Sequence, residues 1–108
     1  MRALIVATVL LLGACVTQLQ VVGPYANRLS RDDVHQIKLV VSTRRDIDHG
    51  IRKLEAIRPD RVHVESGHID SLGTWKGSAF FVVKRNGRWV IDENAGIEAT
   101  NERTIVTD

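Results

Sequence analysis

The sequence predicts an α+β domain, with one N-terminal helix packed on a four-stranded antiparallel β meander, preceded by a signal peptide and a tether. Three observations carry that expectation. Val34, Ile37, Val40, Val41 and Arg44 recur at three- and four-residue spacing, which is one face of a helix. From Ile51 onward the apolar period becomes two. Asn86-Gly87 then stands between two apolar runs, and a type I′ hairpin turn needs positive φ at both of its central residues.

The N-terminus reads as a secretory signal. Arg2 is its positive start and Ala3 to Leu12 its apolar core. That run is about half the 20 residues a membrane span requires. A plain signal cleaved after Ala14 would want a small residue where Leu12 stands. Leu12-Gly13-Ala14-Cys15 resembles the bacterial lipobox: a branched apolar residue, two small residues, and the cysteine that becomes lipidated. The resemblance implies cleavage before Cys15, a thioether-linked diacylglycerol on its sulfur, and often a third acyl chain, such as palmitate, on the new amino group. One chain holds a protein at a membrane only marginally, and two or three hold it durably. Val16 follows the cysteine where an aspartate would retain a Gram-negative lipoprotein at the inner membrane. The family pattern therefore favours the outer membrane, with the domain in the periplasm or at the cell surface.

On this reading residues 1–14 are the signal peptide, 15–29 a lipid-anchored tether, 30–95 the α+β domain and 96–108 a C-terminal tail. Cleavage takes Arg2 and leaves 94 residues, with 14 basic against 13 acidic side chains. A nearly neutral chain lacks the basic face that nucleic acid calls for. Cys15 is the only cysteine, so its modification leaves no thiol for disulfides or nucleophilic chemistry. Nothing in the sequence calls for a cofactor or a metal.

Val16 to Leu29 lacks periodicity and contains Gly23-Pro24, a loop signal. Leu19, Val21, Val22 and Tyr25 allow part of it to pack on the domain. Ser30 is the expected helix cap, with Asp32 and Asp33 matching the positive helix end. The helix is expected over about 31–45, with an extension toward His49-Gly50 also open; His35, Lys38 and Ser42 lie on its polar face. Strands follow over Ile51 to Ile57, Arg61 to His68, Ser78 to Arg85 and Arg88 to Glu93. Arg58-Pro59-Asp60-Arg61 is the first turn. A loop is expected over 69–76. The tail is mostly polar, with a short edge strand conceivable at Thr104 to Thr107.

A two-residue loop at Asn86-Gly87 pairs Arg85 with Arg88, Lys84 with Trp89, Val83 with Val90 and Val82 with Ile91. Phe80, Val82, Trp89 and Ile91 then share one face, assigned to the core under the helix. Phe81, Val83 and Val90 share the other. That second set is too apolar for a freely solvated face, so tether or tail covers it or it is an interaction surface. Lys84-Arg85-Asn86-Gly87-Arg88-Trp89 and the order helix, hairpin, loop, hairpin resemble small bacterial proteins of the cystatin-like or NTF2-like type, over roughly residues 30 to 95. A ligand pocket between helix and sheet is what the NTF2-like resemblance implies, although one helix is fewer than such pockets usually use.

His63 and Glu65 alternate along one strand face, with His68 nearby. Imidazole and carboxylate in that pattern could form a polar acid–base or metal site, or simply a solvated face. Asp46, Asp48 and His49 read as a polar turn. Trp75 reads as a lid over the core or as an exposed contact residue. Arg44-Arg45 and Arg58 with Arg61 read as solvated loop ends. No catalytic fingerprint is present. The expected function is therefore a membrane-tethered envelope lipoprotein and no enzyme: a protein-binding or assembly module, with Phe81, Val83 and Val90 meeting an envelope protein or a second copy. The alternatives are an NTF2-like ligand binder or enzyme, and an inhibitor of an envelope hydrolase that works through loops at the sheet end.

Overall fold

The computed structural model describes residues 19–103. The proposed signal peptide, Cys15 and the conceivable strand at Thr104 to Thr107 lie outside them. Among the described residues the chain forms one α-helix and six strands in a single mixed sheet. The order is β1 (Gln20–Val22), a 3-10 turn (Ala26–Arg28), α1 (Arg31–Ser42), β2 (Ile51–Arg58), β3 (Arg61–Ile69), β4 (Thr74–Arg85), β5 (Arg88–Ile91), a second 3-10 turn (Glu93–Ala95) and β6 (Glu98–Arg103).

The α+β class and the single helix are as expected. The sheet differs at both edges from an antiparallel four-stranded meander. β1 runs parallel to β2, with Gln20 opposite Lys53 and Val22 opposite Glu55. Three residues are too few to show a period, so the strand is created by pairing rather than by pattern. Gly23 turns the chain at φ +102, close enough to Ala56 that a Cβ there would stand 2.7 Å from its carbonyl oxygen. At the other side β4 has 12 residues and accommodates two partners on one edge. Its last four pair with β5 and its first six with β6.

α1 begins as expected and ends three residues early. Ser30 and Asp33 form a reciprocal capping box: the Ser30 hydroxyl accepts from the Asp33 amide and the Asp33 carboxylate from the Ser30 amide, each at 3.0 Å. At the far end the Ser42 and Thr43 hydroxyls donate back to Leu39 and Val40 carbonyls. Thr43 and Arg44 amides reach only three residues back, and the Arg44 guanidinium pairs with Asp46 and Glu93. The last turn tightens and the chain leaves the helix.

The predicted hairpin register is present residue for residue, with Asn86 at φ 54 and Gly87 at φ 77. Ile37 and Val41 of α1 lie over Leu54 and Ala56 of β2, Val62 and Val64 of β3, Phe80 and Val82 of β4, and Trp89 and Ile91 of β5. Phe80, Val82, Trp89 and Ile91 are thus the helix-side core, as expected. Each such side chain removed from water contributes roughly 1.5–3 kcal/mol.

The polar link across this core is Asp33. Its Oδ1 accepts from the buried Trp89 indole Nε1 at 3.0 Å and from Lys84 Nζ at 3.1 Å. Burial pushes the carboxyl up, but the bonds from Trp89, Ser30 and Lys84 outweigh it and hold Asp33 at about 2, against an ordinary 3.8. A folded value below the unfolded one means the ionised carboxylate stabilises the fold above about pH 4, and about 2 kcal/mol is lost as pH falls toward 2. Asp33→Ala is expected to cost about 3 kcal/mol in urea denaturation at pH 7, one part from the cap and the rest from an indole N–H left buried without an acceptor. A loss under about 1 kcal/mol would refute the link. Asp33→Asn should flatten the dependence of stability on pH between 4 and 2.

Candidate functional site

The sheet face away from α1 carries the residues that sequence reasoning singles out. Register builds it in rows. Lys53, Glu65 and Ala79 form one, Glu55, His63 and Phe81 the next, and Arg61, Val83 and Val90 a third. His63 and Glu65 share this face as expected. His68 does not: it pairs with Lys76, one residue out of phase, at the exposed end of β3.

Phe81 and Val90 are half-buried and Val83 is 8% exposed. Neighbouring polar side chains cover part of Phe81. Arg61 holds its guanidinium 4.3 Å from the Phe81 ring centre and bonds Asp92 at 2.9 Å. The His63 ring lies 4.8 Å from Phe81 on a tilt. Arginine stems cover apolar surface while the charged head stays at the water boundary. The bond from Arg61 leads the effects that hold the Asp92 carboxyl below its usual range.

The other end of the face is organised by a bulge. Between Ile51 and Lys53 the β2 register slips, so Arg52 and Lys53 both oppose Glu65. Arg52 Nη2 meets Glu65 Oε1 at 3.0 Å and Lys53 Nζ meets Oε2 at 3.2 Å. Burial pushes the Glu65 carboxyl up, but the two cations outweigh it and keep it below its usual range. A carboxylate so held is an acceptor committed to structure rather than a free base. Arg52 also stacks over the Trp75 ring, 4.1 Å from its centre.

Trp75 belongs to β4, not to the loop expected over 69–76. Asp70 closes a tight turn by accepting from the Leu72 and Thr74 amides, with Gly73 at φ +80, so the strands run on to Ile69 and Thr74. The indole is 5% exposed and lies against Gly67, where a Cβ would stand 2.8 Å from ring atom Cζ2. Gly67 faces Gly77 across the strands, and a Cβ on Gly77 would come within 1.9 Å of the Ser66 carbonyl oxygen. The two glycines, too far apart in sequence to cradle a phosphate, let the strands approach closely, and the Trp75 ring takes the space beside Gly67.

β3 and β4 overrun the start of β2, and a cleft of about 450 Å³ occupies that step, lined by Ile51, Arg52, Gly67, His68, Ile69 and Trp75. His68 Nδ1 meets Asp48 Oδ2 at 2.7 Å, which orients the imidazole. Burial pushes the Asp48 carboxyl up, but bonds from His68 and the Gly50 amide leave it below its usual range. The Trp75 Nε1 and the Ser66 hydroxyl are buried without a hydrogen-bond partner among the described residues. Asp46 is held by Arg44, and His49 reaches the Arg44 carbonyl. Among the described residues, no three His, Cys, Asp or Glu side chains gather as a metal site.

The chain matches no family model, and no curated protein or solved structure is significantly similar to it.

Trp75→Ala should cost about 3 kcal/mol in denaturant unfolding, because it removes a buried ring and uncovers the glycine pair. An unchanged midpoint would show that the ring is a contact residue and not part of the packing.

Proposed function

We propose that this chain is a bacterial envelope lipoprotein, lipidated on Cys15, whose α+β domain is a non-enzymatic protein-binding or assembly module. The anchor rests on Leu12-Gly13-Ala14-Cys15 at the end of an apolar run. No helix among the described residues is long and apolar enough to cross a membrane. The observation that carries the binding role is the helix-free sheet face. There Phe81 and Val90 stand half-buried beside Arg61 and His63. Aromatic and arginine side chains in a partly desolvated setting are the composition of interface hot spots. The partner is an envelope protein that sets an extended apolar surface on this face.

Two measurements test the reading. Radiolabelled palmitate should enter the wild-type protein and not Cys15→Ala; equal labelling of both would sink the anchor. A photo-crosslinking residue in place of Val90 should give an adduct in cells that Phe81→Asp removes, while the same residue in place of Leu72, in the β3–β4 turn, gives none. Absence of any adduct from Val90 would end the binding role of this face, and an adduct of twice the chain mass would make the partner a second copy.

The cleft beside β2 favours a second reading, a small-ligand binder of the NTF2-like type, although it lies at the end of the strands and not between helix and sheet, where the core is filled. Arg52 and the oriented His68 offer positive and hydrogen-bonding groups at its walls, and the buried Trp75 Nε1 has no acceptor among the described residues. A small carboxylate ligand fits that chemistry. Benzoate should then change Trp75 fluorescence saturably in a Trp89→Phe background, and Arg52→Ala should abolish the change. A flat titration of the intact site would exclude this class.

A further inference from the structure

Resting on the lipid anchor proposed above, we infer that the edge of the domain built from β1, the Ala26–Arg28 turn and the adjoining flank of α1 seats on an anionic bilayer surface. The anchored domain is then held in one orientation rather than swinging on a leash. Chain length is the first argument. Gln20 is the first residue of β1 and is hydrogen-bonded into the sheet as a parallel partner of β2. Only five residue steps separate it from Cys15. Fully extended, they span at most about 18 Å. A domain of this size is roughly 30 Å across, so the link is shorter than the body it holds. The tether of about 15 residues expected from sequence shortens to residues 16–18, because Leu19 packs against the core and residues from Gln20 onward belong to the fold.

The surface at that edge is the second argument. Six large hydrophobic residues are exposed among those described, and three of them, Val21, Val22 and Tyr25, fall within this short segment. Cations adjoin them. Arg28 is exposed in the turn, and Arg31 and Lys38 line a shallow groove with Leu29 and Val34 on one flank of α1. The opposite flank, through Gln36 and Val40, faces β5 instead. Glu55 is the acidic neighbour of Val22 in register, and Asp32 is bonded to Gln36. Valine and tyrosine side chains beside arginine and lysine match the boundary between acyl chains and anionic headgroups. β1 is also an edge strand whose outer rim carries no strand partner among the described residues.

The test uses the full lipidated protein in vesicles of phosphatidylcholine and phosphatidylglycerol. With Cys15 consumed by lipid, Asn27→Cys and Ala95→Cys each accept one fluorophore, the first in the proposed seat and the second beyond β5 at the far side of the sheet. Lipids brominated near the headgroup should quench the label at 27 by about threefold more than that at 95, since interfacial side chains sit about 5–10 Å into the boundary. Arg28→Glu with Arg31→Glu should bring the two values together. Equal quenching at both sites in the unaltered background, with lipid on Cys15 confirmed by intact mass, would overturn the seat and leave the anchor standing. A mass showing unmodified Cys15 would overturn both.

Discussion

The Asp33 carboxylate is the point on which the arrangement of helix and sheet depends. One oxygen closes the capping box at the start of α1 and the other receives the Trp89 indole and Lys84. A helix needs its first amides satisfied, and a buried indole N–H needs an acceptor. One side chain meets both needs, so the position where α1 starts and the position where it crosses the β4–β5 hairpin are a single variable. The ion is buried but has hydrogen bonds to its charged form from three sides, which is the condition under which a buried charge supports a fold. Ile37 and Val41, one and two turns on, then fall over the apolar rows of the sheet without further instruction.

The two faces of the sheet are ordered by different physics. Under the helix, aliphatic and aromatic side chains exclude water in the usual way. On the open face, order comes from guanidinium groups laid on rings and tied by carboxylates: Arg52 on Trp75 with Glu65, and Arg61 on Phe81 with Asp92. Stacked cations of this kind contribute about 0.5–2 kcal/mol each depending on desolvation. They keep a half-apolar face from collapsing onto whatever it meets, yet they can be displaced by a partner that supplies its own apolar surface and acceptor. Such a face is ordered without a partner, which is what the proposed docking role would require.

Much of this was legible from local pattern. Asn86-Gly87 dictates a two-residue turn, and the turn dictates which residues face α1; no long-range knowledge is needed. Ser30 and the acidic residues behind it announce the helix start. What escaped was whatever depends on partners far along the chain. Asp33 reads as a dipole residue, because nothing in its neighbourhood points to Trp89, 56 positions away. β1 and β6 are strands only because β2 and β4 leave edges for them, and a polar hexapeptide such as Glu98–Arg103 carries no strand signal of its own. Trp75 stands in β4 and not in the loop expected over 69–76, because Gly73, a loop signal in sequence, serves one tight turn that lets both strands run on. The bulge that sets Arg52 and Lys53 against Glu65 shifts register within an unbroken strand pattern, and alternation alone cannot reveal it.

The shortness of the link between Cys15 and β1 bears on how the open face would be used. In a sheet ordered β1-β2-β3-β4-β5, with β6 beside β5 on the edge of β4, β1 is one rim and β5 with β6 the other. An edge seat stands the sheet upright on the bilayer, with strands stacked away from it at about 4.8 Å intervals. Neither broad face then points at the lipid. Phe81 and Val83, three strands above the rim, and Val90, four above it, would look sideways along the membrane at about the height where another anchored domain would stand. Two molecules held in one plane also meet at a raised effective concentration, so modest contacts suffice for association. A long leash would scatter the face over all orientations and discard that advantage. With Cys15 anchored as proposed, the same short link would favour lateral contacts within the envelope over capture of freely diffusing ligands.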